Sequence, residues 1–320
     1  MNCLCCGKPL NTAPALNQWH RKCVKDFFGT AVFPEIDVSE EVLNKLAIDS
    51  TNKGFTVPGV QKKLSLHLTQ EEHPRLTLVN YPTGYILKPQ TEEYPALPEM
   101  EYLVMQMARA SGIKTVPFAL LRIPSQDFSF AYITRRIDRI TGEKPGMLAM
   151  EDFCQLDGRL TEDKYRGSYE RCGKIIAKHS VRPGLDLSEL YIRVVFSFAI
   201  GNSDMHLKNF SLIEEEPGNG EYALSAAYDM LSTNVVLPAD QEQFALTMNG
   251  KKQHIRRNDF LHFGEAIGLP RRSAEKMMEK IIRCEDTYLD LCENSYLPED
   301  MKEALTELIR ERMGSLRRAI

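Results

Sequence analysis

The segment Gly201-Asn202-Ser203-Asp204-Met205-His206-Leu207-Lys208-Asn209-Phe210 sets an acid and an amide five residues apart on a polar stretch behind an apolar run. That offset suits phosphoryl transfer. Asp204 would face a hydroxyl that must lose its proton, and Asn209, one turn of loop away, would offer its amide oxygen to a metal on the phosphates. The transferred group has charge to neutralise and little covalent chemistry to be done for it, so a second carboxylate is needed to bridge the metal to the phosphates. Asp229, in Ala227-Tyr228-Asp229-Met230-Leu231, supplies one.

A lysine on a strand should pair with the phosphates. Lys88 ends Gly84-Tyr85-Ile86-Leu87-Lys88, and the following helical stretch offers Glu99 and Glu101 as its partners. An Asp-x4-Asn pair alone is common, since loop Asp and Asn side chains cap turns. Lys88, an acidic helix, Asp204 with Asn209, and then Asp229, in that order, point to a nucleotide-dependent phosphotransferase.

These residues need elements to hold them. Leu64, Leu66 and Leu68 alternate with Ser65, His67 and Thr69, the period of a half-buried strand. Leu76–Val79, Tyr85–Lys88, Phe118–Ile123 and Phe128–Thr134 predict further strands, and Glu99–Ser111 predicts a helix closed by Gly112. A short helix is predicted over 36–49. From about residue 150 helical periodicity dominates: Leu185–Ile200 ends at Gly201, Phe210–Ile213 and Tyr222–Ser225 flank a surface loop, and helices follow over 258–268, 271–294 and 298–318. The expected fold class is α+β, two-lobed, with residues 31–140 as a strand-rich lobe and 141–320 as a mostly helical one.

Residues 1–30 form a third, Cys-rich module. Four of the eight cysteines fall in the first 23 residues. Cys3-x2-Cys6 and His20-x2-Cys23 have the ligand types and spacing of a structural zinc knuckle, which lets some thirty residues fold without a core of their own. Buried or exposed thiols in a flexible start are the other reading. Cys5 would be a spare ligand, and Trp19 with Phe27-Phe28 could pack the module onto the strand-rich lobe.

With 320 residues, 43% hydrophobic and 26% charged, the composition is that of a globular protein, and the net charge of -4 gives no overall pull toward nucleic acid or anionic membrane. The longest apolar run, around Val194–Ile200, is too short to span a bilayer, and Met1–Cys6 lacks the features of a signal peptide. A cytoplasmic location is expected, so the cysteines should be thiols or metal ligands. The basic run Lys251–Arg257 reads as a solvated face, or as a surface toward DNA or a partner.

Four motifs, in order, resemble the HipA family of bacterial toxin kinases over roughly residues 54–310. Val57-Pro58-Gly59-Val60-Gln61-Lys62-Lys63-Leu64 looks like the family's phosphate-binding loop, and Met150-Glu151-Asp152-Phe153-Cys154-Gln155 like its helix start. Asn202–Ser211 is similar to its catalytic loop, and Ala227-Tyr228-Asp229 to its metal aspartate. The resemblance implies a kinase-like fold, ATP with magnesium, and phosphoryl transfer to a serine or threonine of a protein, in better-studied members an aminoacyl-tRNA synthetase. It implies Asp204 as base, Asn209 and Asp229 as magnesium ligands, and Lys88 as the phosphate-pairing lysine. Gly59, Val60, Gln61, Lys63 and His206 become further nucleotide contacts, and Arg135 and Ile137 lie in the hinge whose backbone meets adenine. Thr56 stands where members autophosphorylate a serine. The short start resembles HipT-like forms, whose N-terminal subdomain is a separate protein, and relatives pair with a helix-turn-helix antitoxin. Two other readings stay open: a binding module acting through its repressor complex, and a small-molecule kinase sharing the Asp-x4-Asn geometry. The chain shows no recognition-helix signal for binding DNA alone.

Overall fold

The computed structural model describes residues 1–10, 16–36, 63–69, 73–78, 84–91, 93–123, 130–140 and 146–318. The expected 36–49 helix and the phosphate loop with Thr56, Gly59, Val60 and Gln61 lie outside the described residues, apart from Ile36 and Lys63 at their ends. The chain divides into two compact units: Met1–Tyr102 with Val116–Glu143, and Leu103–Thr115 with Lys144–Ile320.

The first unit is built on a six-stranded sheet. Its strands are β1 (Glu35–Ile36), β2 (Leu64–Leu68), β3 (Arg75–Leu78), β4 (Tyr85–Pro89), β5 (Phe118–Arg122) and β6 (Phe130–Arg135), in the order β1-β3-β2-β4-β6-β5. Only the short β1–β3 pairing is parallel. The register sets Leu64 opposite Leu87, Leu87 opposite Ile133 and Ile133 opposite Ala119, all buried, as one apolar row across a face. The other face carries Lys88, paired with Tyr132, which pairs with Leu120. Helix α2 (Leu97–Ala110) covers that second face with Glu101 and Tyr102; the Tyr102 ring meets Phe118 edge-on at 5.7 Å.

The Cys-rich start, with helix α1 (Arg21–Phe28), packs on the same sheet. Trp19, with no exposed surface, stacks on Phe28 at 5.3 Å and meets Phe27 and Phe33 edge-on, and both Phe27 and Phe28 touch Tyr85 of β4. Aromatic side chains bury large areas for few rotatable bonds, so this cluster gives the module a core it shares with the sheet.

The second unit is mainly helical: α3 (Phe153–Leu156), α4 (Tyr169–His179), α5 (Pro183–Ala199), α6 (Thr233–Val236), α7 (Arg257–Ala266), α8 (Arg271–Ile282), α9 (Glu285–Glu293) and α10 (Glu299–Arg317). Helix α5 opens with proline at its first position and closes on Gly201 at φ 68°, the left-handed residue that ends many helices. It is buried along most of its length, from Leu190 through Ala199. Its neighbours include stacked Tyr191 and Phe263, and Phe198 against Phe260. A three-stranded antiparallel sheet accompanies the helices: β7 (Met150–Asp152), β8 (Ser211–Glu214) and β9 (Tyr222–Leu224), with β8 in the middle.

The helix expected over 271–294 is broken. It stops at Ile282 and restarts at Glu285, with the Cys284 amide donating to the Ile281 carbonyl in the turn between. The change of direction carries Tyr288 into the interior, where its hydroxyl meets that of Ser111. No helix among the described residues is long and apolar enough to cross a membrane.

Candidate active site

In the second unit the segment 201–210 is fixed at both ends. Gly201 ends the central helix, and a Cβ there would lie 2.9 Å from the Leu308 side chain, so the turn needs both the missing side chain and the positive φ. Thr233 then receives the Ser203 amide at 2.6 Å, and Asn202 Oδ1 accepts the Asp204 amide at 3.3 Å. Asn209 Nδ2 donates to the Asp204 carbonyl at 2.8 Å across the loop. That bond spends the amide nitrogen and leaves the amide oxygen as the donor for a cation. Asp204 itself keeps 41% of its side-chain surface exposed inside an otherwise buried segment, as a group that must meet substrate would.

The β8–β9 hairpin brings the second acid to this loop. Leu212 pairs with Leu224, so the chain before β8 and the chain after β9 emerge at the same end. Tyr228 closes that end: its hydroxyl lies 2.5 Å from Ser211 Oγ and donates to the Lys208 carbonyl at 3.1 Å. The residue before Asp229 is therefore tied to the residue before Asn209. Buried Arg193 holds the incoming strand through the Ser225 carbonyl at 2.7 Å, and the Ala227 amide donates to the Lys114 carbonyl at 2.7 Å. Asp229 then turns at φ 58°, a left-handed conformation that costs a residue with a Cβ roughly 1 kcal/mol or more and clusters at functional positions. The Asn209 amide oxygen and the Asp229 carboxylate are hard oxygen donors, the kind magnesium takes.

Tyr165, which lies outside every motif, and Asp152 and Lys208, motif residues given no role of their own, complete the arrangement around Asp204 and His206. The Tyr165 hydroxyl donates to Asp204 Oδ1 at 2.7 Å, and its ring meets His206 edge-on at 5.1 Å. Burial first, and then the Asp204 carboxylate, push the Tyr165 hydroxyl above the usual phenol range, so it stays a donor. Lys208 Nζ binds Asp152 Oδ2 at 2.7 Å. Asp152 caps helix α3 through a capping box with Gln155, which is the physical role of the Glu-Asp-Phe-Cys-Gln segment. Nearly buried His206 has its Nε2 4.0 Å from Asp204 Oδ1, beyond hydrogen-bond range.

In the first unit, Lys88 and Glu101 form an ion pair at 2.5 Å, with side-chain exposures of 4% and 2%. Lys88 Nζ also lies 5.2 Å from the Tyr132 ring centre. Of the two acids offered by the helix, Glu101 is the partner. Glu99 is half-buried apart from that pair, and desolvation raises its carboxyl to about 7. The Arg135 amide is used within the sheet, donating to Pro117 O at 3.0 Å, and Ile137 sits in the turn leaving β6. Lys63 precedes β2 and is half-buried.

The Cys-rich start gathers its four ligand candidates: one ligand atom each from Cys3, Cys6, His20 and Cys23 lies within 4.8 Å of the others. In the basic run 251–257, Lys251 pairs with Asp259 at 2.8 Å, Lys252 with Glu242 at 3.0 Å and Arg257 with Glu279 at 2.9 Å. Internal pairing spends much of the charge such a surface would present to DNA.

Residues 55–288 match the model of the HipA-like C-terminal domain. A protein of Haemophilus influenzae named "Putative kinase" is 30% identical over 292 residues, covering 82% of either chain. "Putative kinase Y4dM" of Sinorhizobium fredii is 35% identical over 191 residues, 56% of this chain and 45% of that one. Among solved structures, HipA from the Shewanella oneidensis complex of HipA, HipB and operator DNA superposes with a TM-score of 0.68 at 19% identity, over 81% of this chain and 64% of that chain. The Helicobacter pylori proinflammatory kinase CtkA superposes at 0.52 and 17% identity, over 75% and 90% of the two chains. The fold is thus that of the HipA and CtkA kinases. The chain belongs to the HipA-like C-terminal domain family. It spans less than two thirds of the Shewanella HipA chain and less than half of the Sinorhizobium protein.

Proposed function

We propose that this chain is an ATP- and magnesium-dependent serine/threonine protein kinase of the toxin type. The observation that carries the reading is the joined set of Asp204, Asn209 and Asp229, with Asn209 bonded to the Asp204 backbone and Tyr228 bonded to that of Lys208. Asp204 orients the substrate hydroxyl and takes its proton. The hydroxyl oxygen forms the new bond to the γ-phosphorus, and the bond from that phosphorus to the β–γ bridging oxygen breaks, leaving ADP. Tyr165 holds the Asp204 carboxylate in place, and His206 packs against Tyr165. Asn209 and Asp229 would hold magnesium, which when bound neutralises phosphate charge. Lys88, oriented by Glu101, pairs with the phosphates, and Lys63, Gly59, Val60, Gln61, Arg135 and Ile137 are proposed nucleotide contacts, with Thr56 as the regulatory residue of the loop.

The protein substrate is proposed to be a component of translation such as an aminoacyl-tRNA synthetase, whose modification would arrest growth in the cytoplasm. A helix-turn-helix antitoxin, a separate subunit equivalent to the family's N-terminal subdomain, or both are the proposed partners; the HipB complex of the Shewanella HipA supports the first. The test is transfer of labelled γ-phosphate to a panel of purified synthetases, followed by mapping of the modified side chain. Phosphoserine or phosphothreonine on one member is the expected result. Label found only on small hydroxylated metabolites would favour a small-molecule kinase instead.

A further inference from the structure

We propose that Cys3, Cys6, His20 and Cys23 bind one zinc ion, and that the metal knot braces the strand and helix bearing Lys88 and Glu101. Three sulfurs and one imidazole nitrogen form the soft tetrahedral set that selects zinc. Ligands about 2.1–2.3 Å from a tetrahedral ion stand about 3.4–3.8 Å from each other. Cys6 Sγ and His20 Nδ1 are 3.4 Å apart and Cys23 Sγ and His20 Nδ1 3.9 Å, with all four ligand atoms inside 4.8 Å.

The surroundings are those of a built site. The Cys3 amide donates to the Lys8 carbonyl and the Gly7 amide to the Cys3 carbonyl, each at 2.9 Å, with Gly7 at φ 73°. This turn aims the Cys3 and Cys6 sulfurs the same way. His20 sits at the N-terminal boundary of α1, with Cys23 in the first turn of that helix. His20 Nε2 lies 3.1 Å from the Pro9 carbonyl, so the outer nitrogen carries the proton and Nδ1 faces the sulfurs. Metal-bound histidines are oriented by such outer bonds.

The knot also seals a sheet edge. Strand β5 lies at the end of the sheet, where unpaired backbone groups would otherwise meet solvent. The Leu120 amide donates to the Leu4 carbonyl at 2.9 Å, and the Trp19 indole donates to the Leu120 carbonyl at 3.2 Å. Leu4 lies between two of the ligands and Trp19 precedes a third. The Tyr102 hydroxyl, one residue after Glu101, donates to the Cys3 carbonyl at 3.4 Å. The Tyr85 hydroxyl, three residues before Lys88, donates to the Phe27 carbonyl at 3.2 Å. Both elements of the ion pair are thus tied to the knot. Without the ion, three crowded sulfurs and an imidazole are left to hold the chain, and the ties to β4, β5 and α2 loosen together.

The test uses the full chain purified without chelator. Zinc per chain is measured by elemental analysis, and amide hydrogen exchange is followed at Leu120 before and after chelation. One zinc per chain is expected, absent from Cys6→Ser and Cys23→Ser and retained in Cys5→Ser, with Leu120 losing its protection when the ion is removed. Should the serine variants fail to fold, cobalt replaces zinc in the unmodified chain, where a tetrahedral, thiolate-ligated spectrum is expected. A chain with no stoichiometric metal, full zinc retention in Cys23→Ser, or a cobalt spectrum without thiolate bands overturns the site. Unchanged Leu120 exchange after chelation overturns the brace. None of these readouts involves ATP, so their failure is distinct from a failure of the kinase reading.

Discussion

Lys88 and Glu101 meet at 2.5 Å with almost no surface left to water. Burying two charges costs several kcal/mol each before their attraction returns any of it, so such a pair is a poor device for stability. It is a good device for holding an ammonium group at one point. Lys88→Met alone should destabilise the chain by about 3–5 kcal/mol, because Glu101 is left charged and buried. Lys88→Met with Glu101→Leu should recover most of that loss in a denaturant titration while restoring no phosphoryl transfer. Recovered activity in the double variant would show the pair to be structural.

Tyr165 donates to Asp204 across 39 residues of sequence. A hydrogen bond to a charged group is worth about 1.5–3 kcal/mol, so Tyr165→Phe should lower kcat roughly 10- to 100-fold with little change in the KM for ATP. Steady-state kinetics separate the two. A rise in KM at unchanged kcat would place Tyr165 in binding instead.

Asp229 holds a left-handed turn that glycine adopts without strain. Asp229→Gly should therefore be no less stable than the parent, and more stable by about 0.5–1 kcal/mol, yet lose magnesium-dependent transfer. Thermal melting reads the stability, and γ-phosphate transfer with and without magnesium reads the loss of activity.

Glu99 is raised by burial to about 7 from its ordinary 4.5. The folded chain therefore favours the protonated acid. The penalty for holding the charged form is absent below about pH 4.5, grows as pH rises toward 7 and is complete above it. Glu99→Gln should stabilise the protein at pH 8 by an amount on the order of 2 kcal/mol, and leave it nearly unchanged at about pH 4. Equal effects at both values would mean that Glu99 carries its charge in the fold without penalty.

Strand β2, which pairs with the strand that carries Lys88, was legible because period-two alternation records its one buried face, whereas β4 and β6 read as short apolar runs because both of their faces are covered. The Asp204–Asn209 offset and the Cys3, Cys6, His20 and Cys23 spacings were legible for a similar reason: a short loop or a single helical turn fixes how far apart such groups stand. Long-range pairing left no such trace. The Tyr165 bond to Asp204 and the Tyr228 bridge to Ser211 and Lys208 depend on elements brought together only by the fold. Glu99 and Glu101 look alike in sequence, yet two residues along a helix turn about 200°, so only one can face Lys88. The break at Arg283-Cys284 was hidden because apolar residues continue at helical spacing on both sides of it.

The role proposed for Asp204 is to act on the substrate hydroxyl while other residues hold the nucleotide. Its most direct test compares the unmodified chain with Asp204→Asn for magnesium-dependent transfer of γ-phosphate to protein, with nucleotide binding followed by thermal shift. Both proteins should be stabilised by magnesium ATP, and transfer should fall roughly 10³-fold in the variant, within the range expected for losing a general base. Equal transfer by the two proteins, or no stabilisation of either by magnesium ATP, would contradict it.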